Sequence, residues 1–284
     1  MDTIAALLLW SLAHGPLWLA RFYIRILDLA IPRLRRTALR NLGLAYPEKS
    51  PAERKAIADE VFQSLARLIW TFARFPQINR QNIHDWIRYE GLEHYHAAKQ
   101  AGRGILVATA HFGNWELSAF AHALMTEPMH IMIRPLDNPG IDRLVEQRRQ
   151  LSGNHLIAKW DGARSVLRAL QQNEAVGILI DQNTSLEEGT FVDFFGTPAC
   201  ANTAFVKIAA RTGAAVIPGF AVWAEKERRY VLRFYPPVEI SGDSTEDTRR
   251  IHSFLEGVIR EHPGQWLWIH RRWKTRPPGE ASLY

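Results

Sequence analysis

His111-Phe-Gly-Asn-Trp-Glu116 directly follows an apolar run, Gly104-Ile-Leu-Val-Ala-Thr-Ala110. The run reads as a buried strand, and the residues after it read as the start of a helix. α/β proteins usually place their chemistry at such strand ends. A neutral His111 can take a proton from a hydroxyl. Glu116, five positions on, is the expected partner of the other ring nitrogen, fixing the tautomer and stabilising the imidazolium that forms. Alone, His111 would read as a buried histidine bonded to a backbone carbonyl. The strand-end position and the carboxylate favour a reaction.

Two more apolar runs deliver polar groups at the same register. His130-Ile-Met-Ile is followed by Arg134-Pro135, and Ala175-Val-Gly-Ile-Leu-Ile180 by Asp181-Gln182. Parallel strand ends converge on one rim, so a base, a cation and an acid would gather there, a set suited to proton transfer and anion stabilisation. Arg134 and Asp181, with the turn residues Gly113 and Asn114, are the expected oxyanion or phosphate contacts. Surface pairing of Arg134 with Asp137 and simple loop capping by Asp181 are the bland alternatives. Trp115, Phe191, Phe194 and Phe195 are candidates for an apolar wall along an acyl chain, and core packing is an equal reading for each. No nucleophile stands out: Ser118 falls inside the expected helix, and Thr109 and Ser165 have no matching base. Direct attack by a substrate hydroxyl is therefore preferred to a covalent enzyme intermediate. The five-residue His/Glu spacing is not that of zinc hydrolases, and no phosphate-binding or dinucleotide glycine loop occurs. Neither metal nor cofactor is expected.

These groups need a sheet to hold them. Strands are predicted over 104–109, 130–134, 175–180, 215–223 and 230–238. Helices are predicted over 114–125, 139–151, 161–172, 202–212 and 245–262. Residues 51–75 form an earlier helix, opened by Ser50, Pro51 and Glu53 as a capping box, with Ile57, Val61, Leu65, Leu68 and Phe72 on one face. The pattern is α/β, a mixed central sheet flanked by helices.

The chain has 284 residues, 47% hydrophobic, with a net charge of +6. Its single cysteine, Cys200, excludes an intrachain disulfide, fits a reducing compartment and reads as buried filler. Basic residues cluster near both ends, Arg33, Arg35, Arg36 and Arg40 at one and Arg271, Arg272, Lys274 and Arg276 at the other. Arg36, Arg40, Arg271, Arg272 and Lys274 are the expected docking surface for acidic partners. Ten tryptophans beside this charge suit a membrane–water interface. No nucleic-acid-binding motif is present, and nucleic acid is not an expected partner. Residues 4–20 carry no acid, lysine or arginine but are broken at His14-Gly15-Pro16, short of the roughly 20 residues of a spanning helix. Residues 1–32 are expected to be a membrane anchor or interfacial helix, with residues 21–40 on the cytoplasmic side, and 33–284 the catalytic domain. A helix packed on the domain surface is the alternative. A cleaved signal peptide is not expected, since no basic start precedes the apolar run.

The motifs together resemble a known family. His111-x4-Glu116 is similar to the His-x4-Asp/Glu motif of the glycerolipid acyltransferase superfamily. Arg36-Thr-Ala-Leu-Arg-Asn-Leu-Gly-Leu-Ala-Tyr-Pro-Glu48, Arg134-Pro-Leu-Asp-Asn-Pro139, Asp181-Gln182 with Gly189-Thr-Phe-Val-Asp-Phe-Phe-Gly196, and Pro263-Gly-Gln-Trp-Leu-Trp-Ile-His-Arg-Arg-Trp-Lys-Thr-Arg-Pro277 resemble, in order, blocks of the late lipid A acyltransferases of Gram-negative bacteria. The resemblance implies an O-acyltransferase at the cytoplasmic face of the inner membrane. It would move a fatty acyl chain from acyl carrier protein onto a hydroxyl of a phosphorylated lipid A precursor, with no covalent intermediate. It assigns the base to His111 and the orienting role to Glu116. Arg134 falls near the thioester oxyanion or a phosphate, with Asp181 beside it. Transfer from acyl-coenzyme A to another glycolipid or phospholipid, a thioester hydrolase, and a non-catalytic lipid-binding protein on the same scaffold are the alternatives.

Overall fold

A computed structural model describes residues 2–158 and 162–284. In chain order the strands are β1 (Ile87–Glu90), β2 (Ile105–Thr109), β3 (His130–Ile133), β4 (His155–Ala158), β5 (Ala175–Leu179), β6 (Gly189–Phe194), β7 (Thr197–Asn202), β8 (Ala215–Ala224) and β9 (Arg229–Phe234). The helices are α1 (Asp2–His14), α2 (Leu17–Ala30), α3 (Pro32–Ala45), α4 (Pro51–Ala73), α5 (Leu92–Gln100), α6 (Trp115–Met125), α7 (Pro139–Gln150), α8 (Gly162–Gln171), α9 (Ala204–Thr212) and α10 (Ser244–Glu261). The first residue of the helix expected over 161–172 lies outside the described residues.

The main sheet has seven strands in the order β1-β9-β8-β2-β5-β3-β4. Strands β8, β2, β5, β3 and β4 run parallel, while β9 and β1 run the other way at one edge. This is the mixed sheet that the apolar runs predict. β2 lies fourth of seven and is covered on both faces, which is why Ile105-Leu-Val-Ala108 is a continuous apolar run rather than an alternating one. β2 and β5 are neighbours in register, Thr109 opposite Leu179.

A second sheet is the antiparallel hairpin of β6 and β7. Its two-residue turn places both Phe195 (φ 57°) and Gly196 (φ 73°) in the left-handed region, which matches the twist of paired strands. The hairpin packs with α10 and the C-terminal segment. There Trp266, Trp268 and Trp273 are fully buried, and each indole N–H is bonded, to Asp181, Pro263 O and Thr197 O respectively. These three tryptophans are core, so the interfacial reading of the tryptophan content does not extend to them.

At the other end, α4 opens with the expected capping box: Glu53 N donates to Ser50 Oγ at 3.3 Å, and Ser50 N to Glu53 Oε2 at 2.8 Å. Helices α1 and α2 lie against α4. The break at Gly15-Pro16 leaves the last carbonyls of α1 without helical partners. They are taken up from α4 and the turn after it: Arg74 donates to Leu12 O and Gly15 O, Trp70 Nε1 to Gly15 O and Gln77 to Ala13 O. The N-terminal segment is therefore two short helices bolted to the domain, not one continuous helix. No described helix is long and apolar enough to cross a membrane. The 13 residues of α1 span only about 20 Å, against a hydrocarbon thickness of about 30 Å.

Candidate active site

His111 and Asp181 each stand two residues beyond the last residue of a neighbouring parallel strand. Because β2 and β5 are in register, the two side chains meet. His111 Nδ1 lies 2.9 Å from Asp181 Oδ1. A carboxylate only accepts, so Nδ1 carries the proton and Nε2 is the basic nitrogen. The second oxygen, Oδ2, accepts from the His111 backbone N–H at 3.0 Å and from Trp266 Nε1 at 2.9 Å. Asp181 is fully buried, while the His111 side chain keeps 16% of its surface. Burial pushes the Asp181 carboxyl up, but the facing imidazole and the bonds to it prevail and hold it well below the usual carboxylate range. Burial pulls His111 down, yet the charge and hydrogen bond of Asp181 outweigh it, and the ring titrates above its ordinary value.

Glu116 does not reach that ring nitrogen. Its two oxygens are taken by Arg149 of α7, Nη2 at 2.6 Å and Nε at 2.9 Å, a bidentate pair. The expected orienting partner of His111 is thus replaced by Asp181. Glu116 lies on the first turn of α6, beyond a sharp turn, whereas Asp181 arrives from the next strand of the sheet. Asp181, expected as an anion-site neighbour, is instead the carboxylate behind the imidazole.

The turn between β2 and α6 is fixed by close approach. At Gly113 (φ 58°) a Cβ would stand 1.8 Å from Ala221 O. Gly113 N donates to Gln265 O, Asn114 N to Ala221 O, and the Asn114 side chain caps α6 by accepting from Leu117 N. The backbone N–H groups of Gly113 and Asn114 are therefore already spent, and the expectation that they meet an oxyanion fails on that ground. Leu267 N donates to His111 O, so the C-terminal segment pins this loop.

Arg134 follows β3 on the same rim, exposed and with no ion-pair partner among the described residues. Trp115 packs edge-on to the His111 ring at 5.1 Å and keeps some exposed surface, as does Phe191. Phe194 and Phe195 do not: both are enclosed among Trp266, Trp268 and Tyr46. They belong to the core, so no lipid wall is formed by them. Of the basic docking residues, Arg36, Arg40, Arg271 and Lys274 are exposed. Arg272 is not: it is completely buried, donates to Cys200 O at 2.7 Å and lies 5.3 Å over the Phe194 ring. A guanidinium inside the core cannot dock a partner, and burial pushes it down to about 10.

Three residues outside the expected set also shape the site. Trp266 donates to Asp181. Gln182 brings its side-chain amide to 3.5 Å from His111 Nε2. His252 of α10 approaches the carbonyl of Ile180, just before Asp181, at 3.2 Å, and burial pushes that imidazole down to about 4, so it is neutral. Gln182 is delivered with Asp181 by the same strand end, as the sequence indicates, but the sequence assigns it no role of its own. Trp266 falls in the C-terminal block 263–277, which assigns it no role, and His252 carries no such signal.

Comparison with known proteins identifies the family of this chain. Residues 2–275 match the family model described as bacterial lipid A biosynthesis acyltransferase. The lipid A biosynthesis palmitoleoyltransferase of Escherichia coli (strain K12) is 31% identical over 92% of this chain and 86% of its own length. The lauroyltransferase of the same organism is 31% identical over 86% and 80%, and the myristoyltransferase 29% identical over 88% and 78%. The chain is thus an O-acyltransferase and belongs to the bacterial lipid A biosynthesis acyltransferase family.

Proposed function

We propose that this enzyme transfers a fatty acyl group from the thioester of acyl carrier protein to a hydroxyl of a lipid A precursor, with His111 as general base and Asp181 as its orienting carboxylate. One observation carries the reading: Asp181 holds the Nδ1 proton, which leaves Nε2 basic on the exposed edge of the ring. Nε2 takes the proton of the acceptor hydroxyl as its oxygen bonds to the thioester carbon. The tetrahedral oxyanion then collapses, the carbon–sulfur bond breaks, and the departing thiolate receives the proton from Nε2. The thioester is already activated, so placement and charge handling are the main tasks. General-base help contributes about 10²–10⁴ in rate.

With the Gly113 and Asn114 amides engaged, the oxyanion donors on this rim are the Gln182 side chain and Arg134. Glu116 holds the Arg149 guanidinium at the mouth of the site, a placement suited to a phosphate of the acceptor. Arg40, Arg271 and Lys274 form an exposed basic surface suited to the acidic carrier protein, while Arg36 lines the cleft between α2, α3 and α4. The α1–α2 hairpin would lie on the cytoplasmic face of the inner membrane, where both greasy substrates are at hand. The test is mass spectrometry of lipid A precursor incubated with acyl carrier protein thioester and enzyme. A gain of one acyl mass with wild type, absent with His111→Ala, is expected. Transfer by His111→Ala at the wild-type rate would overturn the base assignment. Release of free fatty acid alone would make the enzyme a thioesterase.

A further inference from the structure

A cleft of about 780 Å³ opens between α2, α3 and α4, on a part of the molecule that includes neither His111 nor Asp181. Arg21, Arg25, Arg36 and Lys55 stand around it, with Leu39 and Phe62 among its apolar lining. A fifth cation, Arg35, is already committed: it donates to both oxygens of buried Asp28, at 2.9 and 3.0 Å, and to Asp59 at 2.6 Å. Lys55 shares Asp59, and Arg25 approaches Asp28 only at 3.9 Å. Arg21 and Arg36 have no ion-pair partner among the described residues. Cations thus outnumber acids around the cleft, and the two acids are engaged with Arg35 at its base.

The surface beside this cleft is apolar and unpartnered. On α2, Trp18, Phe22, Ile26 and Leu29 recur at steps of four, four and three, and are 48–65% exposed. The opposite face, Ala20, Ile24 and Asp28, is buried against the domain. α1 continues the exposed face with Ile4, Leu7, Leu8 and Trp10. Large apolar side chains exposed in this number on two successive helices are costly in water and mark an interaction surface. Arg21 and Arg25 flank the α2 stripe at helical spacing, so apolar groups and cations sit at adjoining levels of one helix. That layering matches a lipid leaflet, with tryptophans and arginines at the level where acyl chains meet headgroups.

We infer that the α2–α3–α4 cleft receives the phosphate headgroup of an anionic phospholipid while the α1–α2 apolar face lies in the adjoining acyl layer. The inference rests on the membrane placement proposed above but not on the acyl-transfer chemistry. Arg21 and Arg36 supply the uncommitted charge, and the apolar lining that includes Leu39 and Phe62 accepts glyceride carbon. The cleft is thereby a lipid site separate from the reaction centre, and it sets how the enzyme sits on an anionic leaflet.

The test is co-sedimentation of the full chain with phosphatidylcholine vesicles, with and without phosphatidylglycerol. Wild type is expected to bind both, more tightly with phosphatidylglycerol. Arg21→Gln/Arg36→Gln is expected to lose about twenty-five-fold in affinity for the anionic vesicles, at roughly fivefold per charge removed, and to bind neutral vesicles as wild type does. Arg40→Gln/Arg271→Gln removes two exposed cations outside the cleft and is expected to keep wild-type binding. An equal loss in both double variants would mean diffuse attraction and overturn the cleft. Undiminished binding by Arg21→Gln/Arg36→Gln would do the same. Displacement of the protein from anionic vesicles by millimolar-range inorganic phosphate would reassign the cleft to free phosphate. Failure of wild type to bind either vesicle would remove the membrane placement itself, leaving acyl transfer to detergent-dispersed substrate untouched.

Discussion

Two carboxylates flank His111, and their surroundings differ sharply. Asp181 is sealed and accepts three N–H groups, two from His111 beyond β2 and one from Trp266 of the C-terminal segment. Glu116 is partly exposed and is matched to one residue, Arg149, on a helix that contributes no buried side chain. A buried carboxylate with three donors can hold a tautomer and an orientation; a carboxylate on a partly exposed guanidinium can place a charge that a substrate phosphate can share. The same residue class is thus suited to two different jobs, set by what each is packed against. Proximity along the chain favoured Glu116, but proximity across the sheet decided for Asp181.

Variants can break this contrast. His111→Ala should have the largest effect, a loss in kcat/KM on the order of 10⁴-fold with the melting temperature little changed. Asp181→Asn should follow, with a loss on the order of 10³-fold. It should also move the pH profile. A general base at His111 must be neutral to act, and its folded value lies above the ordinary 6.5. The acid limb of kcat/KM should therefore have a midpoint above 6.5, activity falling as pH drops through it. Removing the anion removes the interaction that raises His111, so the limb should shift to lower pH. A limb that stays in place would mean that Asp181 does not govern the imidazole.

Glu116→Gln should cost less, about tenfold to hundredfold, because it weakens a charge-assisted bidentate pair rather than the base. The loss should appear mainly in KM for the lipid acceptor. The limb should move less than in Asp181→Asn, since Glu116 acts on His111 only through space. If Glu116→Gln instead lowers kcat as deeply as Asp181→Asn and displaces the limb equally, Glu116 takes the ring during turnover and Arg149 merely parks it.

Much of this fold was legible because apolar runs with clear bounds report local structure. β2, β3, β5 and α6 fall within a residue or two of expectation, and the α4 capping box forms as its residues dictate. Other elements were not seen. β1 and β4 are four-residue edge strands with too few positions to show a period. The β6–β7 turn uses Phe195-Gly196 instead of the asparagine–glycine pair that signals such turns. α3 is too rich in arginine to read as a packed helix, yet its Ala38, Asn41, Leu42 and Ala45 are buried. At the site, the strand ends were legible and the partnering was not. That β5 lies beside β2 is a property of sheet order, and no local pattern encodes it. Arg272 illustrates the opposite error: in a run of Arg271, Arg272 and Lys274 only the surroundings distinguish a core guanidinium from two surface cations.

Trp266 offers the smallest and most discriminating test of the comparison. Its indole N–H is one of three donors to Asp181, and Phe keeps an aromatic ring, though a smaller one, but not the donor. Trp266→Phe should lower the melting temperature, since a large buried ring is trimmed and a buried carboxylate loses a partner. The rate effect should be modest, about threefold to tenfold, because His111 N and Nδ1 still hold the carboxylate. The diagnostic is direction. With one donor fewer, Asp181 becomes a stronger acceptor toward His111, so the imidazolium is favoured and the acid limb should move to higher pH, opposite to Asp181→Asn. A fall in stability with the limb unmoved would make Trp266 a packing residue only. A shift upward would show that the indole sets how strongly the buried carboxylate holds the base, a control that Glu116, spent on Arg149, has no means to exert.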